Sequence, residues 1–313
     1  MKALVTGVGG FCGAHLVSRL RREPFMEIAG FDRKAAAAPE LGLDGYYQGD
    51  VTDAAGVDSA VRSFAPDWLF HLAGVSGSVV PAPCMYTVNV TGTVHVLEAV
   101  RRNHPACRVG LIGSFAEYGP ADPSSMPVTE ETPCRPVGPY GITKYAATLT
   151  GIDYAKRYGL RVVVARPSNI VGPGVPESLV VGAMLGRAKK AFSSLRPVMK
   201  VGDFESERDF VDVSDVADAY VRLARSNVSG EVFNICSGRA YSIRRVAEML
   251  IANSSRTITA DFDPNLVPAS VIRCLYGSHE KATKAIGFRP MTPLEESLKA
   301  AWCAEIETGV TCE

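Results

Sequence analysis

The sequence predicts an α/β protein: a doubly wound parallel sheet covered by helices on both faces, with a smaller C-terminal α/β domain. Three observations carry the prediction. Short apolar runs alternate with helix-like stretches through the first half of the chain; a glycine-rich turn joins the first run to the first helix; beyond Arg166 the alternation gives way to segments rich in Gly and Pro. Short apolar runs set between helical stretches are the signature of strands buried on both faces.

KALVT at 2–6 is the first strand and passes through glycines into the helical pattern AHLVSRLRR. EIAGFD at 27–32 is a second strand, ending in an acid, and YYQ ahead of GDVTD (49–53) is a third. WLFHLAG (68–74) and VGLIGS (109–114) repeat the plan, with amphipathic TVHVLEAVRRN (93–103) between them. The helix-like YGITKYAATLTGIDYAKRYG then leads into RVVVARP at 161–167. Residues 1–166 thus form the first part and 167–313 the second, with EVFNI at 231–235 read as a strand that returns to the first sheet, so that 231–236 rejoins the first part. SIRRVAEML and PLEESLKAAWCAEI make the end of the chain helical; there is no internal repeat, and no low-complexity tract exceeds Ala35–Ala38.

The composition excludes several partner classes. Among 313 residues, 33 basic and 33 acidic side chains cancel, so no basic field invites nucleic acid or an acidic membrane. Residues 68–97 lack Asp, Glu, Lys and Arg, but Pro81, Pro83 and many Ser, Thr and Asn residues rule out a membrane span there. The N-terminus carries four glycines and no small-residue cleavage site, which argues against a signal peptide and for a cytoplasmic protein. The eight cysteines (Cys12, Cys84, Cys107, Cys134, Cys236, Cys274, Cys303, Cys312) are scattered, with no metal-ligand spacing, and read as free thiols in a reducing compartment.

TGVGGFCG (6–13) lies between a strand and a helix, with Gly7, Gly10 and Gly13 three apart. Glycine lets the backbone turn tightly and approach a pyrophosphate seated on the helix N-terminus, as in a Rossmann-type site. Asp32 follows Gly13 by 19 residues, where an acid binds a ribose 2′-hydroxyl. That carboxylate repels a 2′-phosphate and favours NAD(H), while Arg33 next to it keeps NADP(H) open. Asp50 in GDVTD either accepts from an adenine amino group or caps the next helix.

In GPYGITKYAA, Tyr140 and Lys144 are four apart and share a helix face. A neighbouring ammonium stabilises phenolate, which would let Tyr140 exchange protons with a carbonyl or alcohol near neutral pH. The spacing alone also fits a plain surface pair.

Taken with TGVGGFCG, GDVTD, HLAG, SFAEYG and RPSNIVGPG, these residues make the chain resemble the extended short-chain dehydrogenases/reductases, in their sugar-nucleotide epimerase/dehydratase group. The pieces run in family order over almost the whole chain. The resemblance implies a triad of Ser114, Tyr140 and Lys144, with Ser114 bonding the reacting oxygen, Tyr140 passing the proton and Lys144 also holding the nicotinamide ribose. It places the cofactor on Gly7, Gly10, Phe11, Gly13, Asp32, Arg33, Asp50, Val51, Leu72 and Ala73 as well as Tyr140 and Lys144. Asn89 matches a family asparagine whose role is more structural than chemical.

In the dehydratases of this group an Asp-Glu pair follows the serine/threonine position; here Phe115 and Ala116 stand there. Neither transfers a proton, and Glu117, displaced by one residue on what reads as an extended segment, turns to the other face as a bystander. Hydride transfer without elimination remains: a ketoreductase, or a 4-epimerase with tightly held NAD. VGDFESERDFVDVSDVADAY, EVFNICSGRAYSIRRVAEML and GFRPMTPLEESL resemble the GDP-4-keto-6-deoxy-D-mannose reductases. That resemblance implies reduction of a C4 ketone, with Arg208 on the substrate diphosphate, Asn169 on a substrate phosphate or backbone, and Arg187 as a third contact set against a plain solvated cation. The chain departs from it at Ser168-Asn169-Ile170 and at VPASVIR (267–273), where Arg273 stands without the expected acid. A non-catalytic dinucleotide-sensing module on the same fold is the reading from another class, and the intact Tyr–Lys pair weighs against it. Members of the group pair as homodimers through two helices, here near 86–104 and 140–158.

Overall fold

The computed structural model describes residues 1–34, 41–77, 80–267 and 272–306; Ala35–Ala38, Cys312 and part of VPASVIR lie outside them. Seven parallel strands form the main sheet: β1 (Lys2–Thr6), β2 (Glu27–Asp32), β3 (Gly45–Gln48), β4 (Trp68–His71), β5 (Arg108–Ile112), β6 (Arg161–Pro167) and β11 (Glu231–Ile235). Their order is β3-β2-β1-β4-β5-β6-β11. The reversal beside β1 opens a crevice at the strands' carboxyl ends, where ligands of such sheets bind. β11 lies parallel to β6, pairing Glu231 with Val163 and Ile235 with Pro167.

Burial on both faces explains the continuous apolar runs. Along β1, Ala3 and Val5 join the core under α1 (Phe11–Leu20) and α6 (Val213–Arg225), while Leu4 joins the opposite core under α2 (Ala54–Phe64) and α3 (Gly92–Asn103). Ahead of α3, Tyr86–Thr91 forms a π-helical turn that carries Asn89. The 21-residue α4 (Gly138–Tyr158) begins with Pro139 in its first turn and ends at Gly159 in a left-handed conformation, both ordinary helix punctuation.

After β6 the sheets are small. β7 (Asn169–Val171) pairs with β10 (Phe210–Asp212), β8 (Val198–Val201) with β13 (Thr259–Phe262), and β9 (Glu207–Arg208) lies between β12 (Tyr241–Ser242) and β14 (Cys274–Leu275). Helices α5 (Val180–Phe192), α7 (Ile243–Ile251) and α9 (Leu294–Glu305) pack over them around Phe210, Leu298 and Trp302, with the short α8 (Glu280–Ile286) against β11.

Three expectations need correction. Phe115–Glu117 is a 3-10 turn, not an extended segment, because Ser114 caps it. Asp50 does not cap α2: its carboxylate accepts from Thr52 N–H and Oγ1 at 2.9 Å, and Asp53 caps the helix through Ala55 N–H. Six cysteines are free thiols, but Cys303 is disulfide-bonded, a pairing that depends on spatial approach and that scattered sequence positions do not reveal. Among the described residues no helix is long and apolar enough to cross a membrane.

Candidate active site

A cleft of about 440 Å³ lies at the carboxyl ends of β1, β4 and β5 and runs across to β9. Its first wall is backbone. Gly7 has φ +69°, and a Cβ there would lie 2.7 Å from the Ala73 nitrogen. A Cβ on Gly13 would meet the Val8 carbonyl oxygen, so α1 can approach β1 only with glycine at that position. Gly10 caps α1 without a side chain, leaving first-turn N–H groups of Phe11, Cys12 and Gly13 to face the cleft. This bare, positively polarised end fits a dinucleotide pyrophosphate.

Asp32 accepts from Gly9 N–H at 2.9 Å, tying the acid at the end of β2 to the glycine turn. Arg33 lies 3.7 Å from Asp50, so the cation that would meet a 2′-phosphate is engaged by a carboxylate. Leu72 lines the cleft, and Ala73 N–H donates to Thr6 Oγ1 at 3.3 Å. Val51 is buried against Gly92, and its carbonyl is 2.9 Å from His95 Nδ1.

The second wall carries the titratable groups. Tyr140 and Lys144 stand one turn apart at the start of α4, and both line the cleft with Ser114. Burial pushes the Tyr140 phenol above its ordinary range, a hydrogen bond with Ser114 pulls it back, and Glu117 and Cys12 raise it further. Lys144 is pulled below the usual ammonium range by burial, against the opposing influence of Glu117 and Cys12. Its Nζ donates to the Ile112 carbonyl rather than to the phenol. The end of β5 thus takes the ammonium, which stands one helical turn from Tyr140 in the same cleft.

Ser114 is fixed by an S-x-x-E capping box: its Oγ accepts from Ala116 N–H at 3.2 Å, and its own N–H donates to Glu117 Oε1 at 2.7 Å. Glu117 is fully buried, and Arg166 Nη2 and Nε donate to its Oε2 at 2.8 and 3.0 Å. Burial drives the Glu117 carboxyl upward, while Arg166 and the Ser114 N–H oppose the rise. Arg166 lies over the Tyr118 ring, whose hydroxyl donates to Asn234 Oδ1 at 2.7 Å. Glu117 is thus no bystander. Asn89 does a similar task nearby, bonding both Val75 backbone groups (2.8 and 3.0 Å) and the Thr143 hydroxyl, which in turn donates to the Tyr140 carbonyl.

On the far side, Asn169 Nδ2 donates to the Asp209 carbonyl at 2.8 Å, and Arg208 presents a half-buried guanidinium bonded to the Glu207 carbonyl. Desolvation depresses Arg208 against the pull of Asp203 and Cys274. Arg187 is not brought to the cleft: it sits on α5, facing Glu177, with its Nε buried and unpaired. Arg273 is exposed and gives its carbonyl to Glu207 N–H.

Residues 3–236 match the NAD dependent epimerase/dehydratase family. The chain belongs to that family. It is 30% identical over 96% of its length to GDP-6-deoxy-D-mannose reductase of Pseudomonas aeruginosa, of which 95% is covered. It is 28% identical to the UDP-glucose 4-epimerase of Mycolicibacterium smegmatis, with 95% of this chain and 96% of the relative covered. Among solved structures, RMD from P. aeruginosa complexed with NADPH superposes with TM-score 0.85 at 27% identity, covering 98% of this chain and 99% of that one. The Thermus thermophilus UDP-glucose 4-epimerase complex with NAD superposes with TM-score 0.87 at 26% identity, covering 99% and 100%.

This epimerase/dehydratase family member is accordingly an NAD(P)-dependent oxidoreductase of Rossmann-type fold, which sets aside the non-catalytic reading. Two buried acids at its site have structural parts that the sequence pattern shows unequally. Glu117 carried a signal, the capping-box spacing from Ser114. Asp209 carried none. It is fully buried, and its carboxylate accepts from Ser168 Oγ (2.9 Å), Ser237 N–H and Oγ (2.8 Å each) and Gly238 N–H (2.9 Å), holding three loop positions at once.

Proposed function

We propose that the chain is an NAD(P)H-dependent 4-ketoreductase acting on a nucleotide-linked 4-keto-6-deoxysugar of the GDP-4-keto-6-deoxymannose type. The observation that carries the reading is the loop after β5. Phe115 is buried against Tyr118, Ala116 has no proton to give, and Glu117 is committed to Arg166 and the Ser114 N–H. No side chain of the Phe115–Glu117 turn is free to move protons for water elimination, which leaves hydride transfer with Tyr140 as the proton donor.

The glycine turn and the start of α1 would hold the dinucleotide, and Asp32 favours NAD(H), since Arg33 must leave Asp50 before it can meet a 2′-phosphate. NAD(P)H supplies the hydride when bound. Ser114 Oγ orients the carbonyl oxygen, and Tyr140, kept protonated by burial, delivers the proton, so the C4 ketone gains one hydride and one proton. Arg208 meets the substrate diphosphate as a forked donor. Residues 1–166 with 231–236 serve the cofactor, and the rest of 167–313 serves the substrate.

The second reading is a nucleotide-sugar 4-epimerase, favoured by the epimerase relatives that align over almost the whole chain. An assay separates the two. Stoichiometric NAD(P)H consumption on a GDP-linked 4-keto-6-deoxysugar is expected; retained NAD with interconversion of two alcohols and no net consumption would overturn the reductase. A homodimer is part of the proposal: Ile142 and Leu149, seven apart on α4, and Tyr86 ahead of α3 are exposed apolar side chains on the two helices expected to pair. Light scattering should give twice the chain mass, and Ile142→Glu with Leu149→Glu should give the monomer.

A further inference from the structure

Away from the active cleft, a second cleft of about 580 Å³ opens between the loop after β11 and the segment leading into α9. Tyr241, His279, Arg239 and Arg289 are among its lining residues, and no Asp or Glu is. Both arginines are exposed, and among the described residues neither guanidinium has an ion pair or hydrogen bond. The surroundings treat cations differently. Arg19 and Arg222 pair with Asp218, and Lys284 pairs with Glu280 at 2.7 Å. Arg289 also borders a neighbouring cleft in which Asp215 and Asp218 stand among Arg19, Arg22 and Arg222; there Asp215 accepts from Met291 and Thr292 N–H at 2.9 Å each, while Asp209 accepts from Ser237 and Gly238. Glu295 and Glu296 stand in the first turn of α9 but outside the lining. In a chain of zero net charge, two unanswered guanidinium groups on one acid-free cleft form a local positive field with forked donors suited to phosphate oxygens.

This cleft shares a wall with the active one. Ser237 and Gly238 line it and bond to the Asp209 carboxylate. The same carboxylate takes Ser168 Oγ, and the Asp209 carbonyl takes Asn169 Nδ2. Ser168, Asn169 and Arg208, the residue before Asp209, line the active cleft. A ligand that shifts the 237–238 turn acts through one buried side chain on the groups proposed to meet substrate phosphate.

We propose that the second cleft binds a small phosphate-bearing anion between Arg239 and Arg289, and that its occupancy changes substrate affinity through Asp209. The binding part is independent of the ketoreductase reading; the coupling part rests on it. The full chain carrying Arg208→Ala is titrated calorimetrically with inorganic pyrophosphate at saturating NADPH, so that neither phosphate position of the active cleft competes. One binding event is expected, weakened at least tenfold when Arg239→Ala and Arg289→Ala are added and at high salt. No event, or one indifferent to the two added substitutions, would overturn the site. For the coupling, the effect of pyrophosphate on KM for the 4-keto sugar nucleotide is compared between the native chain and Arg239→Ala/Arg289→Ala. Competition at the active cleft is common to both, so a difference of twofold or more is the coupling, and equal effects overturn it. Without pyrophosphate the double variant turns over at the native rate.

Discussion

The two walls of the active cleft are built on opposite principles. The wall proposed for the cofactor works by leaving atoms out: Gly7 and Gly13 lack the Cβ atoms that would strike Ala73 and Val8, and Gly10 leaves the end of α1 bare. The wall proposed for the substrate works by burying charge, with Glu117 on Arg166 and Asp209 under four donors from Ser168, Ser237 and Gly238. Steric absence tolerates no added atom, whereas buried charge tolerates no missing partner. The walls should therefore fail differently.

The largest expected effect is on chemistry alone. Tyr140→Phe removes the one proton proposed to move, and turnover should fall at least a thousandfold while NAD(P)H affinity, read by fluorescence titration, stays within about twofold. Undiminished turnover in that variant would overturn the mechanism. Next comes Glu117→Ala, which strands the Arg166 guanidinium; denaturant titration should show a loss of about 3–5 kcal/mol, the usual consequence of breaking a buried pair. Glu117→Ala with Arg166→Met should recover much of that stability but not turnover, because the Ser114 N–H still lacks its acceptor. Recovery of both would reduce the network to a purely structural one. On the opposite wall, Gly13→Ala should weaken NAD(P)H binding at least tenfold and cost about 1–3 kcal/mol, the range for an overpacked contact.

The contrast also explains what was legible in the chain. The glycine turn could be read because its logic is local: three glycines, a strand before, a helix after, and Asp32 at a fixed distance. Glu117 reads as a bystander only on an extended segment, whereas S-x-x-E before an apolar residue is itself a capping signal. Its pairing with Arg166 spans 49 residues, and no spacing rule reaches that far. Asp209 was overshadowed by Arg208, since a buried acid and an exposed one look alike in sequence. The aim of Lys144 at Ile112 likewise depends on how α4 lies across β5.

A pH dependence tests the buried histidine at the end of β4. His71 lies buried between Thr6 Oγ1 (2.8 Å) and Thr93 Oγ1 (3.2 Å), and burial lowers its pKa to about 3, from 6.5. The unfolded chain then binds the proton more readily, so this contribution to stability is present above about pH 6.5 and is lost as pH falls towards 3, by up to about 1.4 kcal/mol per unit. Unfolding midpoints across that window should fall less steeply in His71→Asn; parallel curves would show that the imidazole is not the group responsible. Smallest of all, Arg33→Ala should change the ratio of NADPH to NADH affinity only severalfold, because Asp50 already occupies the guanidinium.

The position of β11 bears on how the protein is made. The strand that closes the sheet beside β6 is synthesised 64 residues after β6 ends, since Pro167 is followed by Glu231 only after the intervening segment. Until then a nascent chain holds β6 as an open edge, with Tyr118 waiting for Asn234 and the Glu117–Arg166 pair uncovered on that side. A ribosome-bound chain stopped near residue 200 should thus be protease-sensitive along β6, and the full chain should not. The order of emergence, and not only the final contacts, should delay the loop after β5 until the seven-stranded sheet has received its last strand.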